Sequence, residues 1–261
     1  MKTLNRLGLA AAIVLPATIA MAGGSTTTTP KATGTTAVTG IITGKIDYDG
    51  EAPKVKQLTV SDEQGKGCCA DSDGASCIDA GDRSILVDAA GGIANVVVSV
   101  RTDTLPDPLG EPIKLDQSKC RFEPHIIVIP VGSSVSYINS DGVSHNIHTY
   151  ARKNDGLNKT VSAGTALSQT FDQKESVKVT CDIHPWMTSW IYVTDSPYYA
   201  VTGADGTFEI PGLEPGTYDV DIWHETLGKS NGEVTIAADG SSPMLSAKLG
   251  GTTTTKKKRR R

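Results

Sequence analysis

The sequence predicts an all-β protein made of two sandwiches, and three observations carry that prediction. Short runs rich in Val, Ile, Thr and Tyr recur between residues 38 and 236, turn residues (Gly, Pro, Asn, Asp) separate them, and helical apolar spacing is nearly absent. A short strand buries one face, and sheet packed on sheet covers such faces most simply. Val38 to Tyr48, Ser84 to Val87 and Ile93 to Arg101 read as the first strands. Ile126 to Val131, Ser134 to Asn139, Asn146 to Tyr150, Ser176 to Thr180 and Trp190 to Thr194 follow. Thr207 to Ile210, Thr217 to Trp223 and Gly232 to Ile236 close the series, with Ala204-Asp205-Gly206 and Glu214-Pro215-Gly216 as turns between them.

The two ends of the chain read differently from this body. Lys2 and Arg6 precede the apolar run Leu7 to Met21, and Ala20-Met21-Ala22 has the small-x-small form cut by a signal peptidase. Residues 1–22 are therefore expected to be a signal peptide, and the mature protein to be exported: periplasmic, in the cell envelope or secreted. An uncleaved membrane anchor is the alternative, which Pro16 and the shortness of the run disfavour. Residues 23–37 form a Thr-rich leader and residues 251–261 a basic tail, Lys256 to Arg261 holding six of the 25 cations. No later stretch approaches the roughly 18 consecutive apolar residues of a spanning helix, which excludes a polytopic membrane protein. Residues 23–255 carry 17 cations and 29 anions. So acidic a body argues against nucleic acid as its partner, while the tail suits contact with an anionic surface.

Chemistry concentrates in two places. Cys181-Asp182-Ile183-His184-Pro185-Trp186-Met187 sets a thiol, an imidazole and a thioether at i, i+3 and i+6, directly after the strand-like Val177 to Thr180. Upstream, a turn ends in His145 as a new strand begins. Two imidazoles, one thiolate and a weak axial Met are the donor set of a mononuclear blue-copper centre, where sulfur favours Cu(I) and nitrogen tolerates Cu(II). A zinc site from His145, Cys181 and His184 is the competing metal reading, with Met as a poor fourth ligand. A buried thiol beside surface histidines is the reading without metal. Cys181 stands alone in its loop, which excludes a binuclear copper site, and Thr180 and Asp182 flank it where a multicopper oxidase would place histidines.

These residues carry a family resemblance. Cys181-x-x-His184-Pro185-x-Met187 with His145-Asn146-x-His148 resembles the cupredoxins, Greek-key sandwiches that hold one type 1 copper, and the loop length is most similar to amicyanin. The resemblance spans about residues 116 to 195 and includes Phe122 to Val128 and Val131 to Val135. It implies His145, Cys181 and His184 as equatorial ligands, Met187 as the axial one, and Asn146 as a hydrogen-bonding brace for the ligand loop. Thr180 departs from the family, standing where an aromatic often precedes the Cys, and Trp186 follows Pro185. Trp186 and Trp190 flank Met187 and are read as a roof that keeps water from the site.

A second resemblance lies downstream. Tyr199 to Val220, with Phe208 and Tyr218 on inward positions, resembles the carboxypeptidase-regulatory-like (transthyretin-like) sandwich. Gly40 to Ile46 and Ile93 to Val98 look like its missing strands. Residues 38–101 and 197–250 are thus expected to form one discontinuous sandwich, with the cupredoxin domain at 105–195 inserted between its halves. Cys68, Cys69, Cys77 and Cys120 remain once Cys181 is assigned, and export permits two disulfides among them. Neighbouring Cys68 and Cys69 are poorly placed to bridge each other, so one is expected to reach Cys120 and the other Cys77. His148, His125 and His224 are read as structural. The function expected from all this is single-electron transfer between redox proteins rather than catalysis; copper handling or an envelope scaffold without electron transfer is the alternative.

Overall fold

The structure is a computed structural model, and it describes residues 38–60, 65, 67–68 and 81–250. Cys69, Cys77, the signal-peptide and leader segments and the basic tail lie outside the described residues. The strands in chain order are β1 (Gly40–Asp49), β2 (Val97–Val100), β3 (Ile113–Ser118), β4 (Arg121–Glu123), β5 (Ile126–Pro130) and β6 (Ser133–Asn139). Then come β7 (His145–Tyr150), β8 (Leu157–Val161), β9 (Ala166–Phe171), β10 (Glu175–Thr180) and β11 (Thr188–Thr194). β12 (Tyr199–Val201), β13 (Thr207–Leu213), β14 (Gly216–His224), β15 (Gly228–Ile236) and β16 (Leu245–Gly250) complete them. No helix among the described residues is long and apolar enough to cross a membrane.

Among the described residues, four sheets make two sandwiches. One sandwich faces a sheet ordered β5-β11-β10-β7-β8 against one ordered β4-β3-β6-β9. Its core holds Leu115, Phe122, Ile129, Tyr137, Ile147 and Ile191. The other faces β13-β1-β16 against β12-β2-β14-β15 over Ile42, Ile46, Val98, Phe208, Ile210 and Val220. Strands such as β1, β6 and β13 follow the period-2 rule and bury alternate residues, whereas β2 and β5 are buried on both faces, because Val97, Ile126 and Val128 pack between the sandwiches. The chain leaves the second pair of sheets after β2 and rejoins it at β12, which pairs antiparallel with β2 from Ser99↔Tyr199 to Val97↔Val201. β1, meanwhile, pairs with β13 and β16. The exit and return points therefore lie side by side, the geometry that lets a domain sit within another's chain.

Two predicted strands shrink. Ile93 to Arg101 narrows to β2 because Asn95 adopts a left-handed φ of 63°, which ends extended backbone. Ser84 to Val87 reduces to a single bridge, Val87↔Ile93. β8 and β9, absent from the predicted strands, are edge strands with mostly exposed side chains, so their polar sequences hide a pairing that only tertiary context supplies.

Candidate metal centre

Strand parity delivers the sulfur. On β10, Val177 and Val179 are fully buried, and Cys181, two residues further, keeps the inward direction and is 1% exposed. On the adjacent strand, His145, Ile147 and Thr149 point inward, so His145 enters the same end of the core. The turn after Cys181 then folds back on itself. The Cys181 N–H donates to the Met187 carbonyl at 3.3 Å, and the Met187 N–H to the His184 carbonyl at 2.9 Å. That closure carries His184 inward, while Ile183 and Pro185 face solvent.

Three donors converge. His184 Nδ1 lies 3.8 Å from Cys181 Sγ and 2.9 Å from His145 Nδ1, and a donor atom from each residue falls within 4.8 Å of the others. Met187 is fully buried in the same cluster. Facing Nδ1 atoms at this separation suit a shared proton or a cation between them. Burial opposes ionisation of Cys181, but hydrogen bonds from His145 and His184, with the Asn146 N–H at 3.3 Å from the sulfur, outweigh it and lower its pKa to about 6. Burial likewise disfavours the His145 cation, yet Asp141 and Cys181 raise its pKa above the ordinary value. The site is thus preset for a thiolate beside imidazoles, and soft sulfur with two nitrogens fits copper in both valences.

The surroundings hold these groups in place. Asn146 joins the two halves of the site, since its side-chain oxygen accepts the Asp182 N–H at 3.3 Å and its amide donates to Asn158 at 2.7 Å. His145 Nε2 contacts Asp141 Oδ2 at 2.7 Å, so Asp141 orients the imidazole from behind. Asp141 is itself fixed by the N–H groups of Lys119 at 2.6 Å and Cys120 at 2.8 Å. Both of those residues take φ near +50°, the twist of a two-residue turn joining β3 to β4. Trp186 lies over His184, ring centroids 5.2 Å apart, and its Nε1–H donates to the Cys120 carbonyl at 3.0 Å. Cys120 is disulfide-bonded to Cys68, and Cys120 Sγ sits 3.9 Å from His145 Nε2.

Trp190 does not roof the site. It alternates with Ser189 and Ile191 on β11 and therefore faces out of this core, where it meets Trp223 of the second sandwich at 5.5 Å. His125 and His224 stand outside the donor cluster: His125 pairs with Glu225, and His224 Nδ1 accepts the N–H groups of Thr226 and Leu227. His148 points outward and pairs with Asp182 at 3.0 Å. Asp141 was invisible to motif reading, because Ser-Asp-Gly spells a turn; its place four residues before His145 was the one available signal.

Residues 112–194 match the model of a family described as copper binding proteins, plastocyanin/azurin family. That match and the donor set together support a copper cofactor for this sandwich. No curated protein matches the chain. Among solved structures, the chain is similar to a Cu-containing nitrite reductase from Thermus scotoductus SA-01, with 22% identity over 37% of this chain and 25% of that one, TM-score 0.31. It is also similar to a purple cupredoxin from Nitrosopumilus maritimus, with 22% identity over 31% of this chain and 99% of that one, TM-score 0.28. An amicyanin mutant in its Cu(I) form gives 21% identity over 37% and 98%, TM-score 0.31. The chain spans about a quarter of the length of that nitrite reductase.

Proposed function

We propose that this chain is an exported type 1 copper protein that passes single electrons between redox proteins, with His145, Cys181 and His184 as the principal ligands and Met187 as a weak axial one. The observation that carries this is the convergence of two imidazole Nδ1 atoms and one thiol in a buried pocket. Copper held there supplies reversible exchange between Cu(I) and Cu(II). Cys181 contributes a thiolate braced by the Asn146 N–H, His145 is locked in orientation by Asp141, and Trp186 keeps water from His184. Residues fixed this firmly move little when charge changes, which favours fast electron exchange. Residues 38–101 and 197–250 form the second, regulatory-like sandwich around the copper domain and serve as a spacer or docking module. Export rests on the Lys2 to Ala22 pattern, and the Cys68–Cys120 disulfide suits an oxidising compartment. The Lys256 to Arg261 tail would add contact with an anionic surface.

Addition of Cu(II) to the purified mature chain should produce an intense thiolate-to-copper absorption near ~600 nm that ascorbate bleaches. Cys181→Ser should abolish the band, since a hydroxyl offers no soft anionic donor. A Cys181→Ser protein that stays blue would overturn the ligand assignment, and tight but colourless binding by the unmodified chain would favour copper handling.

A further inference from the structure

The five-stranded sheet of the copper-site sandwich has an outer face that is covered only in part. At β5 and β11, Ile126, Val128 and Tyr192 pack against Val97 and Trp223 of the second sandwich. At β10 and β7 that cover stops, and a cleft of about 760 Å³ opens between the sandwiches. Its floor is aromatic, with Trp223 centred 5.5 Å from Trp190 and 5.4 Å from Tyr192. Its walls are basic: Arg152, Lys153, Lys174, Lys178 and Lys229 stand against one lining carboxylate, Glu175. The backbone N–H groups of Arg152, Lys153 and Asn154 engage Glu175, and Lys174 pairs with Asp195 at 2.6 Å. The nearby Asp221 is taken by Arg101 at 2.5 Å. Arg152, Lys178 and Lys229 form no ion pair among the described residues. A chain with 29 acidic and 25 basic residues thus gathers, in one aromatic-floored cleft, three cations that have no ion-pair partner among the described residues.

The cleft also adjoins the thiolate. Lys178 lies on β10 three residues before Cys181 and pairs in register with Tyr150 of β7. Tyr150, 49% exposed at the cleft rim, stacks on His148 with centroids 4.3 Å apart, and its hydroxyl accepts a hydrogen bond from Thr180 Oγ1 at 3.4 Å. Thr180 is bonded directly to Cys181. The aromatic missing at position 180 is supplied from the neighbouring strand, one hydrogen bond away.

We infer that this cleft is the docking port for an acidic electron-transfer protein, and that Tyr150, through Thr180, is the contact by which the electron passes between partner and Cys181. The inference rests on the electron-carrier reading. Complementary charge would steer such a partner and speed encounter at low salt, and the aromatic rim beside the ligand strand favours a redox partner over an inert polyanion.

The test uses the copper-loaded mature chain, reduced and mixed in stopped flow with hexacyanoferrate(III) or, separately, a cationic cobalt(III) tris-phenanthroline complex. One electron leaves the protein and one enters the acceptor metal, with no bond made and no proton moved. Lys178→Glu and Arg152→Glu should slow hexacyanoferrate reduction on the order of tenfold at low salt, less at high salt, without slowing the cationic acceptor. Tyr150→Leu should slow hexacyanoferrate severalfold with an unchanged salt slope. Polyglutamate should inhibit the unmodified protein and not the Lys178→Glu variant. Unchanged rates in all three variants would overturn the port, as would equal slowing of both acceptors by the charge reversals, or polyglutamate that binds without inhibiting. The ~600 nm band separates the two levels: a wild-type chain lacking it sinks the electron-carrier reading, whereas variants that keep it and react normally sink the port alone.

Discussion

Asp141 shows how much of the site depends on one side chain outside the motif. Its carboxylate is buried, receives the N–H groups of Lys119 and Cys120, and faces His145 Nε2, so it selects the tautomer that leaves Nδ1 directed at Cys181 and His184. Asp141→Asn keeps the size but presents either an amide donor or a weaker acceptor to that nitrogen. Copper affinity should fall about 10- to 100-fold, read by competition with a chromophoric chelator, while far-UV circular dichroism stays unchanged. Affinity equal to that of the unmodified chain would make Asp141 a turn residue and no more. The sulfur and imidazole of the 181–187 loop were legible because strand parity and a short turn leave them few directions. Asp141 was not, since its role depends on a hairpin between β3 and β4 that brings two amides from outside its own segment. The role of Tyr150 is not legible in the sequence for a similar reason: its link to Thr180 is a cross-strand one.

Among the elements, the turn from β14 to β15 carries a titratable acceptor. His224 is 1% exposed, and its Nδ1 accepts the N–H groups of Thr226 and Leu227, both at 3.1 Å, so the folded chain requires the neutral ring. Burial, with His125 nearby, lowers its pKa from 6.5 to about 4 against the opposing pull of Glu225. Between those values the unfolded chain binds a proton that the folded chain refuses, so stability is full above about pH 6.5 and declines as pH falls towards 4. The loss should reach about 3 kcal/mol. Urea midpoints at several pH values should fall less steeply for His224→Gln than for the unmodified chain, and parallel profiles would exclude this ring as the cause. Comparing the two chains cancels the titration of the copper-site groups they share. The turn was visible only as a boundary, because Thr-Leu-Gly after His-Glu signals a reversal without saying which side chain caps it. Strands such as β10 and β11 were legible from alternating Val, Ile and aromatic residues, whereas β8 and β9 bury too little to leave a pattern.

Besides the apolar contact of Val97 and Trp223 with Ile126, Val128 and Tyr192, a covalent link and a buried polar cluster tie the copper-site sandwich to the rest of the chain. Cys68, in the chain between β1 and β2, is bonded to Cys120 at the β3–β4 turn, a separation of 52 residues. Closing a loop of that length restricts the unfolded chain by about 4 kcal/mol. The Cys68→Ala, Cys120→Ala double variant should therefore melt on the order of 10 °C lower, and calorimetry showing no change would mean the bridge constrains nothing beyond what packing already does. The polar link is Glu225, whose carboxylate accepts the Trp190 Nε1–H at 2.5 Å and pairs with His125, both from the copper-site sandwich. Its side chain is 6% exposed and that of His125 9%, so removing Glu225 leaves His125 and Trp190 without their buried acceptor, and removing His125 leaves the carboxylate with Trp190 alone. Glu225→Ala should cost about 3–5 kcal/mol in denaturant melts, and His125→Ala less, because the carboxylate keeps the Trp190 N–H. Since both substitutions delete the same contact, the double variant should lose clearly less than the sum, with a coupling of at least about 1 kcal/mol. Additive losses would show that the acid and imidazole meet at the boundary of the two halves without binding them together, which leaves that task to the other contacts, the packing of Val97, Val128 and Tyr192 among them.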